Sequence, residues 1–236
     1  MRITVNGVIV DDDIAHIYRY FGYQVACPSD IRNALAENPK DEEFVIEINS
    51  GGGSVYAGFE MYSLIHAANV PTRVEVQSLA GSAASVIMAA ADTVAISPVG
   101  QVMIHLPTTW TWGNQIDHKQ STQMLEAVTS SILTAYENKC KKKTSRDKLR
   151  RMMDNETFIT ANEALEYGLV DEIIGENNTV NYKNVINSAG GLPDIEKLRE
   201  AYNKAKNIDV SSLDTSSNAR ARAIAIAEAS LNLTII

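Results

Sequence analysis

The stretch Phe44-Val45-Ile46-Glu47-Ile48-Asn49-Ser50-Gly51-Gly52-Gly53-Ser54 sets the fold class. Its first six residues form a strand candidate that runs straight into a glycine turn, and glycine at a strand end lets the backbone come close to a ligand or to another segment. Immediately downstream, Met61, Leu64, Ile65 and Ala68 recur at helical spacing until Asn69-Val70-Pro71 stops the helix. Thr72-Arg73-Val74-Glu75-Val76 then alternates as a second strand.

The same alternation extends outward. Upstream, Ile3, Val5, Val8 and Ile9 form a short strand that ends in the acidic turn Asp11-Asp12-Asp13, and Pro28-Ser29-Asp30 opens a helix through Leu35. Downstream, Ala83 to Ala91 is apolar almost all round, the pattern of a helix buried on every side. Thr93-Val94-Ala95-Ile96 and Val102-Met103-Ile104-His105 are two further strands around Ser97-Pro98-Val99-Gly100. Leu125, Val128, Ile132 and Ala135 mark a long amphipathic helix closed by the basic run Lys139 to Lys143, suitably cationic for a helix C-terminus. Thr157-Phe158-Ile159 is a short strand, Thr160-Ala161-Asn162-Glu163 fits a capping box, and Gly168 is the C-cap of that helix. Strands alternating with helices predict an α/β domain over residues 1–174 with a substantially parallel sheet. Asn177-Asn178-Thr179 and Ser188-Ala189-Gly190-Gly191 mark a linker, and helices are expected over 193–206 and 218–231, so that 175–236 is a linker with a C-terminal helical extension.

Composition narrows the function classes. With 21 Lys and Arg against 29 Asp and Glu, the net charge of −8 disfavours a nucleic-acid partner, which needs a basic face. Two cysteines, Cys27 and Cys140, are too few and too far apart for a disulfide framework or a zinc set and are expected to be reduced thiols. No signal-like start and no run of about 18 apolar residues occurs, so neither membrane attachment nor export is expected, and a cytoplasmic location is.

Gly81-Ser82-Ala83-Ala84-Ser85 lies between a strand and an apolar helix, where a serine is presented at the helix N-terminus and an oxyanion finds free backbone N–H groups. The plain alternative is that small residues let two elements pack closely. His105 ends an apolar strand ahead of the turn Leu106-Pro107, and a residue at a strand's carboxyl end reaches the edge where α/β sheets bind ligands; its plain alternative is a core histidine bonded to backbone. His16, His66 and His118 lie in helical or polar contexts that suit solvated positions.

Ile48-Asn49-Ser50-Gly51-Gly52-Gly53 followed by Ala57-Gly58 resembles the signature of the Clp proteolytic subunit family, which usually reads Ile-Asn-Ser-Pro-Gly-Gly. Val102-Met103-Ile104-His105-Leu106-Pro107 looks like the stretch carrying that family's catalytic histidine, and Glu163-Ala164-Leu165-Glu166-Tyr167-Gly168-Leu169-Val170-Asp171 resembles its closing helix and turn. The three pieces occur in the family's order. The resemblance implies a ClpP/crotonase-like fold of repeated β-β-α units and a serine endopeptidase that works through a Ser-His-acid triad and an acyl-enzyme, with no cofactor.

Ser82 lies 29 residues after Gly53, the family's interval, whereas Ser85 falls one turn into the helix, where N–H groups are already used. Ser78 and Gly81 depart from the family's glycine and alanine. For the carboxylate, local register with Phe158-Ile159-Thr160-Ala161 favours Glu156 and counting from His105 favours Asp154; on an extended strand the two share a face. The resemblance places the oxyanion-hole N–H groups on Gly53 and Ala83.

It also implies a homo-oligomeric ring acting on polypeptide, with the long helix from about Asn114 to Asn138 as the handle between rings. Ala83-Ala84-Ser85-Val86-Ile87, Glu156-Thr157-Phe158, the tail after Asp171 and the short N-terminus resemble the phage and prophage branch associated with head maturation, which makes capsid or scaffold proteins the expected partners. A Clp ATPase is the other expected partner, since no Walker motif occurs in this chain. Two non-peptidase readings compete: a ring-forming scaffold with a decayed site, and a crotonase-type acyl-thioester enzyme, although crotonases generally lack a serine–histidine pair.

Overall fold

The structure is a computed structural model that describes residues 1–175 and 193–206. In chain order the strands are β1 (Arg2–Ile9), β2 (Val25–Ala26), β3 (Phe44–Gly53), β4 (Thr72–Gly81), β5 (Thr93–Ile96), β6 (Gln101–Ile104), β7 (Thr157–Thr160) and β8 (Glu172–Ile173). The helices are α1 (Asp12–Tyr20), α2 (Pro28–Glu37), α3 (Val55–His66), α4 (Ala83–Met88), α5 (Gln115–Cys140), α6 (Arg146–Asp154), α7 (Ala161–Tyr167) and α8 (Ile195–Lys206). The main path of the sheet runs β2-β1-β3-β4-β5-β8, with β6 joining β4 and β7 joining β6. Every pairing is parallel except β6 with β7, so the expected α/β fold with a mostly parallel sheet is what the chain adopts.

The sheet bends along one line. Register slips between Asn6 and Val8 on β1 and between Ile48 and Ser50 on β3, and on β4 the lower half pairs with β5 (Arg73–Val76) while the upper half turns to β6 (Leu79–Gly81). Gly7, at φ +76°, sits in the first slip, and Ser50 repairs the ladder there: its hydroxyl donates to the Gly7 carbonyl at 2.6 Å and accepts the Gly52 N–H at 3.1 Å. The bend carries the ends of β3, β4 and β6 into one cluster, which is where the site lies.

The core beneath it is built from fully buried Phe44, Ile46, Ile48, Val74, Val76, Val94 and Ile96 of the strands with Met61, Ile65, Ile87 and Met88 of α3 and α4. Gly58 lets α3 approach α4, since a methyl group there would stand 3.1 Å from the Ala83 Cβ. Lys139, read from sequence as part of a cationic helix end, is buried: its ammonium donates to the carbonyls of Ala91 and Asp92 and pairs with Asp171 at 2.6 Å. A second cluster joins α1, β2 and α8 through Val10, Ile17, Tyr18, Val25 and fully buried Leu198.

Two elements differ from expectation. Asp12 and Asp13 do not make a turn but occupy the first turn of α1, where carboxylates complement the helix dipole. Residues 146–154 form α6, capped by the Ser145 hydroxyl, which accepts the Lys148 N–H, and anchored inward by Leu149 and Met153. The extended conformation expected to place Asp154 and Glu156 on one face is therefore absent: Asp154 is the last residue of a helix. Gly168 closes α7 at φ +78°, and Thr160 and Glu163 make the reciprocal capping box. The expected linker at 177–191 and helix at 218–231 lie outside the described residues.

Candidate active site

Ser82 stands at the junction of β4 and α4, with φ +52° and ψ −123°. That conformation is unfavourable for a side chain with a Cβ, and such strain persists only where the surroundings over-determine it. The Ser82 N–H donates to the Met103 carbonyl of β6 at 2.8 Å, and the Ser82 carbonyl accepts the N–H groups of Ser85 at 3.0 Å and Val86 at 3.4 Å. A serine at a helix N-cap ordinarily bonds its own helix. Here the hydroxyl makes no cap bond and lies 2.7 Å from His105 Nε2.

Strand register explains the meeting. Gly81 pairs with Met103, so Ser82 leaves β4 beside the end of β6, where His105 follows fully buried Ile104. The two side chains are partly exposed, as a site open to substrate requires.

Glycines make the approach possible. A Cβ on Gly52 would stand 2.6 Å from the Ser82 Cβ and 2.9 Å from the Gly81 carbonyl oxygen, and Gly52 lies at φ +107°. A Cβ on Gly53 would collide with the backbone of Ile9, and one on Gly81 would come 3.1 Å from the Gly51 carbonyl oxygen. Gly81, the departure from the family's alanine, thus fits the tight passage of β4 past the glycine run. Gly52, not singled out from sequence, is the glycine against the Ser82 side chain. Ala83 is the buried first residue of α4, whose N–H has no partner within the helix by position.

Ser85 is fully buried and already engaged, 2.5 Å from the Ser82 carbonyl oxygen and 2.7 Å from the Tyr136 hydroxyl of α5. It lacks the exposure of Ser82, and its hydroxyl is engaged with backbone and a tyrosine rather than with a histidine.

The two carboxylates stand differently. Antiparallel pairing of β6 with β7 ends at Ile104 opposite Thr157, and Glu156 is the residue immediately before that last pair on β7 as His105 is the residue immediately after it on β6. Glu156 is exposed, at φ +45°, and its carboxylate has no hydrogen bond or ion pair with another described residue, His105 included. Asp154 is turned outward and paired with Arg150 at 2.8 Å.

Elsewhere, His16, His66 and His118 are exposed on helices; His16 lies edge-on to Tyr202 and His66 stacks on Tyr62. Cys27 and Cys140 are buried free thiols, and burial pushes Cys140 up to about 11, which leaves little thiolate at neutral pH. Among the described residues, no group of three or more His, Cys, Asp and Glu side chains is arranged to hold a metal ion, and no helix is long and apolar enough to cross a membrane.

The profile of the Clp protease family matches residues 32–177, which takes in β3, α3, β4, α4, β6 and the α6–β7 turn. The chain belongs to the Clp protease family. It is 29% identical over 144 residues to an ATP-dependent Clp protease proteolytic subunit of Pleurastrum terricola, covering 60% of this chain and 72% of that one. It is 28% identical, again over 144 residues, to the protein of the same name from Deinococcus radiodurans, covering 60% of this chain and 69% of that one. In this Clp protease family member, the Ser82–His105 contact and the glycine run lie inside the matched segment, whereas α8 lies beyond it.

Proposed function

We propose that the chain is a serine endopeptidase in which Ser82 is the nucleophile, His105 the general base and Glu156 the carboxylate that orients the imidazole. The observation that carries this reading is the 2.7 Å contact between Ser82 Oγ and His105 Nε2, made by a serine that leaves its own helix uncapped. Ser82 Oγ attacks the scissile carbonyl carbon as its proton passes to His105 Nε2; the N–H groups of Gly53 and Ala83 receive the developing oxyanion; collapse expels the amine, which takes the proton from His105. Water, deprotonated by the same imidazole, then releases the acyl group and restores Ser82. For the third role Glu156 is favoured over Asp154 by its position next to the end of the β6–β7 pairing, where His105 also stands, and by its unengaged carboxylate.

The catalytic unit is assigned to residues 1–174 and the extension to 175–236. The working form is a homo-oligomeric ring acting on polypeptide. Trp110, Trp112 and Ile116 support this: three large apolar side chains within seven residues around the start of α5 are 89%, 90% and 66% exposed, as side chains that a neighbouring subunit would cover are. On the phage-branch reading the substrates are capsid or scaffold proteins and no unfoldase is obligatory.

A fluorophosphonate probe tests the nucleophile. Wild-type protein, assembled, becomes labelled on Ser82 and Ser82→Ala does not; labelling that persists in Ser82→Ala, or absence of labelling in both, overturns the reading. Native mass tests the ring, which a monomer under every condition excludes. Degradation of folded protein only when a Clp ATPase is added would exclude the unfoldase-independent role.

A further inference from the structure

We infer that Ser85 and Tyr136 are positioning residues, which fix the Ser82–Ala83 peptide plane and thereby aim the Ala83 N–H at the oxyanion. The inference rests on the reading of Ser82 as nucleophile and adds two side chains to it.

Proton accounting sets the direction of the chain. The Ser85 Oγ lies 2.5 Å from the Ser82 carbonyl oxygen, a separation that requires a hydrogen between them, and a carbonyl has none to give. The single Ser85 proton is therefore committed to Ser82, and the 2.7 Å contact with Tyr136 must be made by the tyrosine hydroxyl donating to Ser85 Oγ. Tyr136 can serve as a permanent donor, because burial raises its pKa above the usual phenol range and keeps it protonated. The sequence Tyr136 O–H to Ser85 O–H to Ser82 carbonyl is thus one polarised relay, each bond strengthening the next, with Ser85 and Tyr136 both buried.

The relay ends on a mechanically informative group. The Ser82 carbonyl and the Ala83 N–H belong to one planar trans peptide, so holding the first fixes the direction of the second, and polarising the carbonyl makes the N–H a stronger donor. Ser82 at φ +52° lies in a conformation that local preference does not maintain, and the N–H groups of Ser85 and Val86 on its carbonyl come from the same short helix. Tyr136 supplies an anchor from outside the elbow, on α5. A purely packing role would account for an apolar pair at these positions but not for a buried serine hydroxyl on that carbonyl backed by a buried tyrosine hydroxyl.

The test is steady-state hydrolysis of a short N-capped peptide p-nitrophenyl ester, together with inhibition by a peptide boronate, whose adduct presents an oxygen to the oxyanion hole. Ser85→Ala is expected to lower kcat about 10- to 100-fold with KM within about twofold, and to weaken the boronate by a similar factor, because the loss falls on the transition state alone. Tyr136→Phe is expected to lower kcat about threefold. The double variant is expected to match Ser85→Ala in kcat while regaining thermal stability, because no buried hydroxyl is left unpartnered; it also serves if Ser85→Ala does not fold. Wild-type kcat and boronate affinity in folded Ser85→Ala or in the double variant would overturn the inference, as would activity that merely tracks the folded fraction. Ser82→Ala separates the two failures: hydrolysis that survives it removes the nucleophile reading, whereas hydrolysis abolished by it beside unimpaired Ser85 and Tyr136 variants removes only the relay.

Discussion

The histidine at the end of β6 faces two regions built in opposite ways. On the Ser82 side the chain is closely packed, strained and over-determined: a positive-φ serine, glycines without room for a methyl group, and a carbonyl held by Ser85. On the other side, residues 154–156 are exposed, the helix ends at Asp154, and the Glu156 carboxylate has no hydrogen bond or ion pair with a described residue. The core therefore constrains Ser82, the proposed nucleophile, far more tightly than Glu156, the carboxylate proposed to orient His105. Since a triad carboxylate acts only when it bonds the histidine's second nitrogen, the exposed turn is where the active geometry remains to be set.

The largest effect should come from asking which carboxylate that turn supplies. Glu156→Gln is expected to lower kcat by about 100-fold or more for the peptide ester, because the amide fixes the wrong tautomer or none. Asp154→Asn, which only loosens an exposed pair with Arg150, is expected to stay within about twofold. A reversed ranking would move the third role to Asp154 and undo the argument from the β6–β7 register.

Much of the closely packed side was legible in the chain and little of the exposed side was. An apolar strand running into Gly51-Gly52-Gly53 and a small-residue turn before an apolar helix are patterns with few physical solutions, so β3, β4 and α4 followed from them, whereas the meeting of Ser82 with His105 was expected from the family resemblance. Tyr136 was hidden because it fits the apolar stripe of α5. The signal was Ser85 itself, since a hydroxyl in an otherwise apolar buried helix must find a partner. α6 escaped because Arg146, Lys148, Arg150 and Arg151 mask the apolar spacing of Leu149, Met152 and Met153, and α1 because an acidic run reads equally as a turn or as a first helical turn. Which of Gly52 and Gly53 abuts the serine depends on strand twist and slip, which periodicity does not encode.

A smaller effect, on stability, separates the two regions directly. Gly52→Ala places a methyl 2.6 Å from the Ser82 Cβ at φ +107°, and overpacking of this kind is expected to cost about 2–3 kcal/mol. Arg150→Ala, on the exposed side, removes one surface pair and should cost no more than about 0.5 kcal/mol. Chemical denaturation of the two variants, compared at equal slope, measures the contrast; equal costs would show that the elbow is less constrained than its contacts indicate.

The smallest effect isolates the strain at Ser82. Ser82→Ala and Ser82→Gly both remove the hydroxyl and its contact with His105, so the difference between them cancels that loss and reports on the backbone. Glycine raises the entropy of the unfolded chain at a cost of about 0.5–1 kcal/mol. It also relieves a conformation near φ +52°, ψ −123°, whose cost to a residue with a Cβ is about 1–3 kcal/mol. The second term is the larger, so Ser82→Gly should be more stable than Ser82→Ala by about 1 kcal/mol, read as a higher midpoint in thermal or denaturant unfolding. A less stable Ser82→Gly would mean that the elbow carries no stored strain, and the tightness of the Ser82 side would then reflect packing alone.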